Sequence, residues 1–280
     1  MMGRAHSLSG AGIWLGGTAA YSYATGFQMD PAILVMGTVI TAGAALGPDL
    51  DSYTATVTKS FGIFGRIFYY IANTISILMY NLTRTRKDDD ITNGHRTFFH
   101  TLAASLMMGA ITLGLTSLPG TLPFFGDTLT TGQFSALIIM AFFLHLGIAG
   151  LFAPQIKKAK KSFGPYLIMA VSLAVTFGVS KFLPTGKEDS YHWLAAVVAA
   201  GWFIHILGDT ITKMGTPFAW PLKIRGKRWY DISLPSMFRI TAGGSVELVI
   251  LTPIFIILIV GGAIINGLII SGVLPTAVGA

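Results

Sequence analysis

The sequence predicts an all-α fold, a polytopic membrane helix bundle of about seven spans with one further interfacial or re-entrant helix over 61–80. Three observations carry this reading. Hydrophobic residues fill 52% of the 280 positions and charged residues only 11%, where soluble domains run at about one quarter charged. Mean hydropathy is +0.66. Apolar runs of roughly 20 residues, enough to cross a hydrocarbon core about 30 Å thick, recur along the chain. The 33 glycines fit this, because small residues let membrane helices pack closely. No internal repeat and no soluble domain interrupts the pattern, so 1–280 reads as a single integral membrane domain.

The first apolar run covers about 8–27 and the second about 31–47, joined by the tight Met29-Asp30-Pro31 turn. The N-terminus lacks a small-residue cleavage site after the first run, so that run reads as a retained span. Pro48 ends the second run, because it biases Gly47 away from the helical region, and Asp49-Leu50-Asp51 follows. Residues 61–80 are apolar enough to span, yet they carry Arg66, Asn73 and many aromatics, as an interfacial helix would. With the polar connection after it, 61–97 forms a cytoplasmic-side segment. Further spans lie at about 98–117, 133–152, 163–182, 192–212 and 246–271, and 213–245 is a basic cytoplasmic connection.

The chain has no cysteine and a net charge of +7. Disulfides, iron–sulfur ligation and thiolate zinc sites are excluded. The positive charge matches basic loops meeting anionic lipid, so membrane lipid is the expected partner and nucleic acid is not. With seven spans and Lys157–Lys161 in the cytoplasm, all but Lys181 and Lys187 of the 19 Lys and Arg lie inside. The N-terminus is then cytoplasmic and the C-terminus outside. If 61–80 crossed as well, His6, Asp49 and Asp51 would part from the other ligand-type residues.

Those residues are the chemical content of the sequence. His205 and Asp209, four apart at the end of a long apolar helix, share one face, with Thr212 close by. The seven-span arrangement brings His6, Asp49, Asp51, His95, His100, His205 and Asp209 to one cytoplasmic rim. Ionisable side chains at membrane helices are costly and point to function. The five-residue spacing of His95 and His100 suits no single helical face, so His95 belongs in the turn that Asn93-Gly94 begins. Such an N/O set suits a divalent metal, Zn2+ first and Mn2+ or Fe2+ next, as one ion or a bridged pair.

Arg96 has a fork of donors suited to a phosphate or a developing oxyanion. Asp51 and Asp209 join it as candidate catalytic residues, since a carboxylate not used as a ligand can serve as base. The expected activity is hydrolysis of an ester or phosphoester, with a small-molecule, lipid or lipid-linked substrate. The alternative is a metal-ion or proton transporter with the His/Asp cluster as its cytoplasmic entrance, and a scaffold with a structural metal is a third reading.

Pro48-Asp49-Leu50-Asp51, His95-Arg96-Thr97 with His100, and His205 with Asp209 followed by Gly215-Thr216 and Trp220-Pro221 resemble the YdjM-type family, from about residue 1 to 225. This resemblance implies an inner-membrane, LexA-regulated, metal-dependent hydrolase. It implies that His6, Asp49, Asp51, His95, His100, His205 and Asp209 are the metal-site positions, with Gly215, Trp220 and Pro221 a structural signature beside them. Thr101 fills the family's Ser/Thr place near the second His. The connection 81–93 and the Lys157–Lys161 loop have no counterpart in the pattern.

Other polar residues carry plainer expectations. His145 reads as a buried His bonded to a neighbouring helix, and His192 as an interfacial residue. Asp88-Asp89-Asp90 reads as a solvated charged face. Trp202, Trp220 and Trp229 read as interface anchors, and Glu247 as a partner of Arg239.

Overall fold

A computed structural model describes residues 1–122, 129–152, 164–181 and 191–277. Lys157–Lys161, Asp127, Lys187, Glu188 and Asp189 lie outside the described residues. Among those described, the chain is all-helical, with nine α-helices. They are α1 (Gly3–Thr25), α2 (Pro31–Ala44), α3 (Thr56–Ser60), α4 (Ile63–Thr83), α5 (Leu102–Thr116), α6 (Thr131–Leu151), α7 (Gly164–Ser180), α8 (Trp193–Thr210) and α9 (Thr252–Ile270). A π-helical turn, Val246–Leu251, leads into α9.

Local chemistry sets the helix ends. Gly26 takes the left-handed conformation (φ 72°) that closes α1. The Asp30 carboxylate accepts from the backbone N–H groups of Ala32 and Ile33 and caps α2, with Pro31 at the first helical position. Pro48 turns the chain into the short 3₁₀ helix Pro48–Asp51. A second 3₁₀ turn, Phe98–His100, precedes α5, which Thr101 caps through the Ala104 amide. Thr130 and Gln133 form a capping box on α6.

Five segments are long and apolar enough to cross a membrane: Pro31–Asp51, Ile63–Thr83, Thr131–Leu151, Trp193–Thr210 and Val246–Ile270. α5 and α7 are apolar but shorter. Close backbone approach holds the centre together. A Cβ on Gly43 of α2 would stand 1.9 Å from the Phe143 carbonyl oxygen of α6, and one on Gly147 would stand 2.1 Å from that of Val39. Helix α2 therefore lies against α6 with no side chain between them at that crossing. Ile40, Leu46, Met140, Leu194, Val198 and Trp202 pack around it.

One end of the bundle is polar. Residue His6 begins α1, Asp49 and Asp51 follow α2, and Asp209 ends α8. Contacts at the far end are of another kind: Ala277 donates to Tyr23 O at 2.8 Å, and Ser117 meets His192 at 2.8 Å. Helices α1, α5 and α9 run away from the polar end, and α2, α6 and α8 run towards it.

Helix α4 lies in a stretch of chain that starts and ends at the polar end: Asp51 before it and His95 after it are bonded to each other at 2.8 Å. Near its start Phe68 packs on Phe142 of α6, at its middle Asn73 accepts from the Gly94 amide at 2.8 Å, and near its end Tyr80 meets Trp229 in the polar cap.

That cap joins 84–97 to 213–245. Asp88 accepts from the backbone N–H groups of Thr85 (2.6 Å), Trp229 (2.9 Å) and Arg228 (3.3 Å). Asp89 pairs with Lys227 at 2.7 Å, and Asp90 with Arg84. The acidic run is therefore partly a structural tie rather than wholly a solvated face. The tryptophans also depart from expectation. Trp229 is buried, stacks on Trp220 and meets Tyr80, and Trp202 is buried and donates to Phe99 O at 2.8 Å. They pack inside the protein instead of anchoring it at an interface. Gly47 makes room for the Trp202 ring, which a Cβ at that position would meet at 2.3 Å.

Candidate metal centre

Four elements meet at the polar end, each ending there for a local reason. Pro48 tightens the chain after α2 and points Asp49 inward. Asn93 bonds the His95 amide (3.0 Å) and Asn73 bonds the Gly94 amide (2.8 Å), which sets the turn before His100. The i,i+4 spacing on α8 stacks His205 over Asp209. Gly208 leaves room for the His6 ring, whose Cε1 would lie 3.2 Å from a Cβ there.

Four donor atoms converge. His205 Nε2 lies 3.2 Å from His100 Nε2, 3.7 Å from Asp49 Oδ1 and 3.6 Å from Asp209 Oδ2. His100 Nε2 lies 3.7 Å from Asp49 Oδ1 and 3.8 Å from Asp209 Oδ2. Donors placed tetrahedrally around an ion at about 2.0–2.2 Å are roughly 3.3–3.6 Å apart. These five separations, 3.2–3.8 Å, are close to that range.

Neighbouring groups aim these donors. His205 Nδ1–H donates to Ala45 O at 2.8 Å, which leaves the Nε2 lone pair facing the cluster. Asp51 stands behind the histidines, its Oδ1 accepting from His95 Nδ1 and its Oδ2 3.5 Å from His100 Nδ1. Three carboxylates, Asp49, Asp51 and Asp209, stand 3.5–3.8 Å from the His100 ring nitrogens. This surplus of carboxylate favours a bound cation.

His6 is fully buried and stacked on His205, ring centroids 3.7 Å apart. Its Nε2 is 3.2 Å from Asp209 Oδ1, and neither ring nitrogen makes a hydrogen bond. Orphaned buried nitrogens of this kind fit a ligand role. Two sets result, His6 with His205 and Asp209, and Asp49 with His95 and His100, the donors of each within 4.8 Å of one another. The sets touch through the two Nε2 atoms, so the site could hold one ion or two.

Arg96 sits at the edge, mostly buried, with a left-handed backbone (φ 59°). Its guanidinium reaches Asp209 Oδ2 (3.1 Å), Thr212 Oγ1 (3.2 Å) and Gly215 O (3.2 Å). The Met1 amine also contacts Asp209. All seven residues expected at the rim are thus together, with Asp51 buried behind His100 and His95 partly exposed at the edge.

A family model described as YdjM inner membrane protein matches residues 1–273. The chain belongs to the YdjM family. No curated protein and no solved structure matches it. This YdjM-family chain is accordingly a membrane protein whose buried His and Asp groups could hold a metal ion.

Some neighbours of the site carry no signal in the sequence. Asp231 lies in the field of Arg96 and Lys227. Burial pushes its carboxyl up to about 6 against their pull. It stands in a basic connection with no spacing motif. Glu247 accepts from the Met2 and Gly243 amides at 2.8 and 3.0 Å, while Arg239 donates instead to Leu234 O, so the pairing expected of the two does not form. His145, as expected, is buried and bonded to Ser60 O of α3 at 3.0 Å.

Proposed function

We propose that this chain is a multi-pass, membrane-embedded, metal-dependent hydrolase with its site at the cytoplasmic face. Its substrate is an ester or phosphoester of a lipid or lipid-linked molecule. The observation that carries the reading is the convergence of Asp49, His100, His205 and Asp209, five of whose donor separations are 3.2–3.8 Å. Zn2+ suits this histidine-rich set best, with Mn2+ or Fe2+ next. The orientation follows the basic residues, with the N-terminus cytoplasmic and the C-terminus outside.

A divalent ion held here supplies Lewis acidity and makes water more acidic. The protein's own groups do the rest. Asp51 orients His100 and, through its bond to the partly exposed His95, forms a dyad that can take a proton from water entering at the mouth. Arg96, fixed by Thr212 and Gly215, offers its guanidinium to an anionic substrate oxygen. Asp209 lies between these parts, touching both His205 and Arg96.

The transporter reading is weaker, because a path across the bilayer needs polar groups at several depths. Among the described residues, both candidate ligand sets lie at the same end. The test is metal content of the detergent-purified protein by mass spectrometry, with His205→Ala and Asp49→Ala alongside. Stoichiometric metal lost in both variants supports the centre. A folded wild type that takes up no zinc, manganese or iron removes it.

A further inference from the structure

An apolar groove of about 290 Å³ runs between α4, α5 and α6. At its inner end are Gly47 and Leu50, which flank Pro48-Asp49, and Phe99, which precedes His100. Trp202, bonded to Phe99 O, forms the back wall. Its outer walls are Ala72 and Ile75 on α4 and Met107 and Ile111 on α5. Ile75, Met107 and Ile111 also show 38%, 36% and 44% of their surface outside the protein, so the groove is continuous with the apolar exterior.

Three features select the occupant. The lining is apolar throughout, so a soluble ligand gains nothing by entering. The opening lies on the membrane-facing surface, so the occupant comes from the bilayer. The lining residues Gly47, Leu50 and Phe99 adjoin the candidate metal ligands Asp49 and His100 in the chain, so an occupant with a polar head at one end of a flexible tail brings that head to the centre. We propose that this groove holds one acyl chain of a membrane glycerolipid whose head group lies at the Asp49–His100–His205–Asp209 centre. Lipid moves in sideways between α4 and α5. Helix α4, whose last turns lie in the polar cap, is the outer wall of that passage. The assignment rests on reading the centre as a lipid-directed hydrolase site, and it names where the substrate's tail goes.

The test reads occupancy rather than turnover. The full-length protein is placed in vesicles of phosphatidylethanolamine and phosphatidylglycerol, the latter carrying a diazirine near its acyl terminus. After irradiation, labelled peptides are mapped. Residues 68–75 and 107–111 are expected to label severalfold more than Val249 and Ile257, which simply face outward on the π turn and α9 with 70% and 68% exposure. Ala72→Trp, and separately Ile111→Trp, should bring the groove label down to that reference level with elution and thermal unfolding unchanged. Two variants on opposite walls guard against one failing to fold. Groove labelling equal to the reference, or unaffected by both substitutions, overturns the proposal. Labelling that behaves as expected supports the groove even if no hydrolysis is found, and that second outcome would count against the enzyme reading alone.

Discussion

Asp51 Oδ1 and His95 Nδ1 lie 2.8 Å apart across 44 positions of sequence. That bond closes the excursion that contains α4, and it sets the tautomer of His95. The same carboxylate lies beside His100, whose other nitrogen faces the candidate metal. A carboxylate behind a ligating imidazole typically tunes metal affinity by about 10–100-fold. Asp51→Asn keeps the shape and removes the charge. Its metal affinity, measured by competition with a chelating dye, should fall within that range while the stoichiometry at saturation holds. Unchanged affinity would show that Asp51 does not act through His100.

The crossing of α2 and α6 makes a sharper structural prediction. Gly43→Val has to push a Cβ into the Phe143 carbonyl, 1.9 Å away, which only a separation of the two helices relieves. The protein should lose its folded, monodisperse fraction. Gly261→Ala on α9 meets nothing within 4 Å, and it should be neutral or gain up to about 1 kcal/mol from helix propensity. Thermal unfolding in one detergent compares the two. Equal effects would mean that the close approach does not hold the bundle.

The helices and the rim are legible in the sequence because both rest on one-dimensional regularities. Apolar runs end at Asp30-Pro31 and Gly47-Pro48, and the seven ligand-type residues of the rim fall at or near the ends of such runs, whereas His145 lies inside one. The i,i+4 pair His205–Asp209 reads directly as one helical face. Residues whose partners come from distant loops are not legible. Asp51 and Asp49 look equivalent in Pro48-Asp49-Leu50-Asp51, and only the 3₁₀ turn sends one to the cluster and the other behind it. Trp220 and Trp229 near helix ends look like an aromatic belt until the cap folds and stacks them together.

The cap gives a pH-dependent prediction. Burial works against the charge on Asp88, but N–H bonds from Thr85, Trp229 and Arg228 and the Thr85 hydroxyl outweigh it and hold the carboxyl below its usual range. A carboxyl depressed in the folded state contributes stability above its unfolded value, near 4, and loses it as pH falls through the folded value. The protection of the Thr85, Arg228 and Trp229 amides, taken relative to intrinsic exchange at each pH, should therefore hold at neutral pH and fall only below about pH 4. Asp88→Ala should show the low protection at every pH, with the cap destabilised by at most about 1 kcal/mol, because solvent screens bonds to a partly exposed carboxylate. Wild-type protection that does not change with pH would remove Asp88 from this role.

His145 and His205 test the centre against each other. Both are buried on helices, and both bond a backbone carbonyl, Ser60 O at 3.0 Å and Ala45 O at 2.8 Å. They differ in what the other nitrogen meets. His205 Nε2 faces three further donors, whereas His145 Nδ1 has no partner and the ring stacks on Phe61. Removing His145 thus takes away one tie between α6 and α3 and nothing from the cluster. His145→Ala should cost about 1–3 kcal/mol in unfolding and leave the bound metal stoichiometric, while His205→Ala should release the metal. If His145→Ala also released it, from protein that still unfolds cooperatively, the ligand set would have to extend down α6, a turn and a half from its end.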